Sequence, residues 1–171
     1  MELAQSCEEV LTNYLKGLVN PDQSSVWSSS LQRGAGQNFE LRIFPGESDE
    51  EKNGQCILCI AERDFPEHIP SSAIYEVPIR VVLRTPTKVL TSAEKQANPP
   101  VTEPLVNHQT AAAALRTAMM AVGLELLLTA AQQDFTVFGM LERQPTREQD
   151  NPYWESGISA KLVCCGASFQ S

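Results

Sequence analysis

The stretch SAIYEVPIRVVLRT, residues 72–85, constrains the fold of this 171-residue chain more than any other segment. In an extended strand successive side chains point to opposite faces, so this segment has one apolar and one charged face. The apolar face holds Tyr75, Val77, Ile79, Val81 and Leu83. Glu76, Arg80 and Arg84 fall on the other face. Pro78 has no N–H to donate, which predicts an edge position or a bulge.

Four further segments have strand character. NFELRIF, residues 38–44, alternates, whereas QCILCIAE, residues 55–62, is apolar on both faces and predicts a strand covered on both sides. A short strand is also possible around Val26 and Trp27. DFTVFGMLE, residues 134–142, and WESGISAKLVCC, residues 154–165, predict two last strands. The polar stretch between them predicts a hairpin with a long tip.

Two segments have helical periodicity. Residues 1–19 predict an amphipathic helix that places Glu8 and Glu9 on its polar side. Its apolar face is Leu3, Cys7, Val10, Leu11, Tyr14, Leu15 and Leu18. A second helix is predicted over residues 108–131, with Asn107 as its N-cap. This helix is apolar almost all round, so we expect the sheet to cover one side and something else to cover the other.

Between these elements, Thr85–Asn107 contains four prolines and little periodicity, which predicts a projecting loop or a lid. The element order is α-β-β-β-α-β-β. We therefore predict one α+β domain over residues 1–171, with two helices on a mainly antiparallel sheet and a long Pro-rich loop before the second helix.

The charge and the apolar runs exclude several classes of protein. A net charge of −8 argues against a general nucleic-acid binder, which needs a basic face. Arg116 and Glu125 interrupt the most apolar run, so it is a poor membrane span. The first residues lack the basic start and the small-residue cleavage site of a signal peptide. Five cysteines without such a signal predict reduced thiols in a cytoplasmic compartment.

The reactive side chains do not form an enzyme or metal motif. Cys56 and Cys59 lie in a strand pattern, where positions three apart face opposite ways, and the same holds for the adjacent Cys164–Cys165 pair. The two histidines, His68 and His108, occur in or beside Pro-rich loops. No nucleophile elbow, phosphate loop or zinc-binding helix motif occurs. We predict no catalytic residue, no metal and no cofactor.

Charged and aromatic residues near the last hairpin indicate an interface with another protein chain. Charges at a loop tip are commonly solvated, and a Trp beside a strand start commonly caps the core, so a structural role stays open for each. The interface residues that we predict are Arg143, Arg147, Glu148, Asp150, Tyr153, Trp154, Glu94 and Lys95.

The order of elements and several segments resemble the tail-terminator (tail-completion) proteins of long-tailed bacteriophages. The resemblance begins with the helix CEEVLTNYLKGL and the strand YEVPIRVVLRTP before a long loop. It continues through NHQTAAAALRTAMMAV, FTVFGMLERQPTREQD and YWESGISAKLVCCGAS, and so spans most of the chain. The resemblance implies a structural virion protein without catalytic residues.

The same resemblance implies a location and a set of partners. Tail terminators form a ring, expected here to be a hexamer, at the head-proximal end of the tail tube, where they end tube growth and join the tail to the neck. The implied partners are copies of this chain, the tail tube protein and a neck or head-completion protein. DNA would pass through the lumen without specific binding, as an acidic pore permits. The protein would be assembled in the host cytoplasm and reside in the virion.

Three alternatives remain open at this stage. One is another neck or head-completion connector, which would also form rings. A second is a small cytoplasmic enzyme using His68, His108 or the cysteines. A third is a host-side binding module, such as an immunity or chaperone-like protein, which would be a stable monomer.

Overall fold

The computed structural model describes residues 3–28, 42–47, 55–63, 74–87, 89–98, 103–130, 135–150 and 153–166. The helices are α1 (Leu3–Lys16), α2 (Ser92–Gln96), α3 (Pro104–Met119) and α4 (Leu124–Ala130). The strands are β1 (Ile43–Pro45), β2 (Cys56–Ala61), β3 (Tyr75–Pro86), β4 (Phe135–Asp150) and β5 (Tyr153–Gly166).

These strands form one sheet in the order β1-β2-β3-β5-β4. β1 pairs with β2 in parallel, and the three other pairings are antiparallel. The prediction of an α+β fold with a mainly antiparallel sheet is therefore confirmed. β4 lies at one edge of this sheet and β1 at the other.

α1, α3 and α4 pack on one face of the sheet, which we call the helix face. α1 lies over β1 and β2, α3 over β3 and β5, and α4 over β4. The alternating side chains of β3 that the sequence assigns to one face, from Val77 to Leu83, belong to the core beneath these helices. Both faces of β2 are buried, as its doubly apolar pattern predicts: Leu58 and Cys59 are both fully buried.

The position of Pro78 corrects the prediction of an edge strand. β3 is an inner strand between β2 and β5, and Pro78 lies just past the last residue of β2. The Pro78 carbonyl accepts a 2.9 Å hydrogen bond from the Glu62 N–H. Because the N and C=O of one strand residue point to the same side, the missing N–H faces the end of β2 and leaves the β3–β5 ladder intact.

The prediction of two helices with an uninterrupted second one is wrong, because the described residues contain four helices. Gly123 has φ of +73°, a left-handed conformation that suits glycine, and it separates α3 from α4. α3 begins at Pro104 with Glu103 as its N-cap, whereas Asn107 is buried inside the helix. A proline fits the first helical position because the N–H there has no helical partner.

The segment Thr85–Asn107 is also more ordered than a projecting loop. β3 extends to Pro86, and α2 forms over Ser92–Gln96. A capping box starts α2: the Thr91 side chain accepts from the Glu94 N–H, and the Glu94 side chain accepts from the Thr91 N–H. α2 buries no residue, so apolar periodicity could not reveal it.

The last hairpin has no long polar tip. β4 and β5 pair from Phe135↔Gly166 to Asp150↔Tyr153 with two shifts of register, and the polar run from Arg143 onward is part of strand β4. The shifts follow Val137 and Leu141, as in β-bulges, and Glu142 has φ of +53° at the second shift.

Two further predictions concern strands in the first part of the chain. The possible strand at Val26 and Trp27 is instead a short 3-10 turn, in which the buried Trp27 indole donates a 2.8 Å hydrogen bond to the Leu15 carbonyl. Of the predicted strand 38–44, Ile43 and Phe44 belong to β1, and residues 38–41 lie outside the described residues.

None of the described helices combines the length and the apolar character that crossing a bilayer requires.

Candidate functional site

A line of four hydrogen-bonded polar side chains runs through the protein beneath α3. The Gln55 amide donates to the Thr85 hydroxyl at 2.9 Å, and Thr85 Oγ1 lies 2.7 Å from His108 Nδ1. On the other side of the ring, His108 Nε2 lies 2.8 Å from the Ser156 hydroxyl. All four residues are buried, so each polar group finds its partner within the protein rather than in water.

These hydrogen bonds are compatible with two tautomers of the neutral His108 ring, because each hydroxyl can both donate and accept. With the ring proton on Nε2, Thr85 donates to Nδ1 and Nε2–H donates to Ser156. With the proton on Nδ1, both directions reverse, and the Ser156 hydroxyl donates to Nε2. Burial and then the charge of Arg147 lower the pKa of His108 to about 4, which keeps the ring neutral near neutral pH.

Ser156 opens into a small cleft between α3 and the β4–β5 hairpin. The cavity has a volume of about 10 Å³, roughly the room for one water molecule, and it is half open to solvent. The residues around it are Ala112, Leu115, Arg116, Thr146, Ser156, Gly157 and Ile158.

Two arginines lie near this cleft. Arg116 on α3 lines it, and Arg147 on β4 lies directly opposite Ser156 in the strand register. Directly opposed residues of an antiparallel pair point to the same face, so Arg147 lies on the helix face. Both arginines are exposed, and within the described residues neither takes part in an ion pair.

The residues that we predicted as an interface lie on three elements, α2, β4 and β5. Glu94 and Lys95 lie on α2, and Glu94 serves the capping box. Arg143 donates to the Met119 carbonyl at 3.3 Å and so places a cation at the C-terminal end of α3. Tyr153 is half-buried, and so is Trp154, whose ring centre lies 6.3 Å from that of His108. Glu148 and Asp150 belong to β4, and their side chains lie outside the described part.

The buried cysteines form no metal site among the described residues. As the strand pattern predicts, Cys164 belongs to the core of the helix face, on the side of Ile158 and Leu162, and Cys165 falls on the opposite face. Cys164 Sγ lies 3.8 Å from Cys7 Sγ on α1, although 157 residues separate them in the sequence. Hydrogen bonding and burial raise the pKa of Cys7 well above its ordinary value, so both sulfurs act as core groups.

Sequence reasoning found only one member of the polar line. His108 was singled out as a candidate side chain, but Gln55, Thr85 and Ser156 carry no motif and come together only when the sheet forms. The one available signal was the parity of β3 and β5: Thr85 and Ser156 continue the apolar faces of their strands. His68 lies outside the described residues.

Comparisons with known proteins did not identify a family for this chain. No protein-family model matches the chain, and a search of the curated proteins gave no match.

Proposed function

We propose that this protein is a structural virion protein, a tail terminator that forms a ring at the head-proximal end of the phage tail tube. In this role it ends tube growth and joins the tail to the neck. Its partners are further copies of this chain, the tail tube protein and a neck protein. The proposal rests on the resemblance of the chain to tail terminators and is supported by one feature of its surface.

That feature is an apolar surface along the β4 edge of the sheet, which we call the β4-edge surface. It consists of exposed side chains after α3, on α4 and on β4: Met120, Val122, Leu126, Leu127 and Phe138. Leu126 is 72% exposed and Val122 is 101% exposed. A monomeric soluble protein seldom leaves many large apolar side chains so exposed in one region, because their transfer out of water is favourable.

The β4-edge surface also accounts for the apolar pattern of the second predicted helix. The helical region 108–131 is apolar almost all round, and the sheet covers only one side of it. Leu124 and Leu128 point into the core, whereas Leu126 and Leu127 stay exposed. A second covering for this side is what a neighbouring subunit or the tail tube would supply.

The position of this surface suits ring assembly. A heterologous contact between different patches closes into a ring when its rotation closes. β4 is an edge strand of 16 residues, and its irregularities, Pro145 and charged side chains are features that discourage indiscriminate strand pairing. The net charge of −8 suits a lumen through which DNA moves without binding.

Assembly on tail tubes tests the proposal. Purified protein is added to growing tail tubes, and tube lengths and tube ends are measured by electron microscopy. We expect tubes that stop growing and carry a ring at one end. Tubes of unchanged length without end rings would contradict the proposal.

A neck connector is the nearest alternative, and co-sedimentation with headless tails separates the two. A terminator binds such tails through the tube, whereas a head-completion protein stays with the heads. The hydrogen-bonded pair of His108 and Ser156 is the observation that favours an enzyme. His108 Nδ1, however, bonds the Thr85 hydroxyl, where a Ser-His-Asp triad has a carboxylate. An activity that His108→Ala abolishes without altering assembly would favour the enzyme.

A further inference from the structure

We propose that the cleft beside Ser156 is a binding site for an oxyanion, either a carboxylate or a phosphate group, held by Arg116, Arg147 and the Ser156 hydroxyl. This site does not depend on the proposed function, since it is argued from the local geometry alone. The ligand group can come from an acidic side chain of a second copy of this chain or from a small molecule in solution.

The first step concerns the hydroxyl proton of Ser156. The Ser156 hydroxyl lies 2.8 Å from His108 Nε2, and Ser156 lines the cleft. In the tautomer with the ring proton on Nε2, Ser156 Oγ accepts from His108, and its own proton can be donated into the cleft. An anion in the cleft favours this tautomer, because it accepts that hydrogen bond.

The second step concerns charge. Arg116 lines the same cleft, and Arg147 lies across the strand pair from Ser156. Neither arginine is in an ion pair within the described residues, whereas Arg84 is bound at 2.6 Å to Glu155 and Arg63 at 2.7 Å to Glu8. Guanidinium groups bind carboxylates and phosphates through two parallel N–H donors. Arg116 at the cleft, Arg147 opposite Ser156 and the Ser156 hydroxyl form a set of donors for one anionic group.

The third step concerns size and class of ligand. The cavity of about 10 Å³ admits a single oxygen atom, so only the head of a ligand enters and the rest stays outside. The charged residue that lines the cleft, Arg116, favours an anion over a cation. His108, with a pKa of about 4, is neutral near neutral pH and adds no charge.

Inorganic phosphate and acetate are the probes that test whether a free anion from solution binds the cleft. Wild-type protein is titrated with each, and the ring signals of His108 are followed by NMR, with a His68→Gln variant for assignment. We expect saturable shifts and a higher pKa for His108, because a bound anion stabilises the imidazolium. Arg147→Gln and Arg116→Gln should each weaken phosphate binding roughly tenfold, the usual cost of losing a charge-assisted hydrogen bond. Arg80→Gln, at an exposed arginine of β3, is the matched control and should leave binding unchanged.

A second experiment distinguishes an acidic side chain of a neighbouring subunit from a free anion as the bound group. Sedimentation velocity measures the oligomeric state of the wild type, Arg147→Gln and Arg80→Gln, with and without phosphate. If Arg147→Gln and added phosphate both dissociate an assembly that Arg80→Gln preserves, the bound group is an acidic side chain of a second copy. If phosphate binds without changing the assembly, the ligand is a free anion.

The inference is overturned if phosphate and acetate leave the His108 signals unchanged and Arg147→Gln leaves the assembly intact. Either result is independent of tube termination. A protein that ends tube growth but fails both experiments keeps its proposed function and loses the anion site.

Discussion

At the scale of single residues, Glu8 shows how a helical pattern can mislead. The sequence places Glu8 on the polar side of α1, yet it is 3% exposed. Its carboxylate accepts from Arg63 Nη2 at 2.7 Å and from the Ala61 N–H at 3.2 Å, so it satisfies the backbone at the end of β2. We expect Glu8→Ala to lower the free energy of unfolding by about 2 to 3 kcal/mol, because it leaves a buried N–H without its partner.

Urea denaturation measures this effect. Glu9→Ala is the matched control, since Glu9 is half-buried on the same helix, and it should change stability by less than about 0.5 kcal/mol. Equal losses in the two variants would show that the contacts of Glu8 have no special weight.

The second residue-scale prediction concerns pH and His108. Its pKa is about 4 in the folded protein and about 6.5 in an exposed histidine, so the unfolded chain takes up the proton first as the pH falls. The contribution of the neutral ring to stability is fully present above about pH 6.5 and is lost progressively down to about pH 4, by up to about 3 kcal/mol.

A His108→Gln variant isolates this contribution. Denaturation at about pH 7.5 and about pH 4.5 should show a smaller difference in stability for the variant than for the wild type. Parallel pH profiles of the two proteins would mean that His108 is not the titrating group.

At the scale of elements, the close pairing of β5 with β3 depends on Gly157. A Cβ added there would lie 2.2 Å from the Val81 carbonyl oxygen, which is backbone and cannot turn aside. We expect Gly157→Ala to destabilise the protein by more than about 2 kcal/mol or to prevent folding, because the two strands must separate.

Gly139 provides the matched control for that change. It lies on β4, and a Cβ there would meet nothing within 4 Å, so Gly139→Ala should be close to neutral in the same denaturation experiment. Similar losses at both glycines would contradict the steric explanation.

The elements also show what the sequence could and could not predict. Apolar periodicity identified α1, β3 and β5, and a run apolar on both faces identified β2, because burial itself creates these patterns. The break at Gly123 was missed because it depends on a backbone conformation. The extension of the β4–β5 pairing through the polar residues was missed because it depends on the partner strand. The polar line ending at Ser156 was missed for a related reason: its members join only through tertiary contacts.

At the scale of the whole molecule, the β4-edge surface should govern association. Leu126 is 72% exposed, so Leu126→Lys should leave the fold intact and abolish assembly on tail tubes, because it places a charge where apolar contact is expected. Val89→Lys is the control, since Val89 is 85% exposed and precedes α2, outside the segments that form this surface. Electron microscopy of tube ends and circular dichroism measure assembly and folding separately, and normal assembly by Leu126→Lys would exclude this surface from the contact.

The place of β5 in the sheet has a consequence for how the chain reaches its native state. β5 follows every other described strand in the sequence, yet it lies inside the sheet, between β3 and β4. During synthesis β3 and β4 therefore leave the ribosome before the strand that joins them. Until β5 has been synthesised, the edge of β3 that β5 will cover exposes unpaired backbone groups to any extended segment nearby. Cys7 on α1 likewise lacks its partner Cys164, which follows 157 residues later in the sequence. Such long-range pairing folds slowly and exposes aggregation-prone edges, so the yield of soluble protein should depend on how quickly the nascent chain is completed and released.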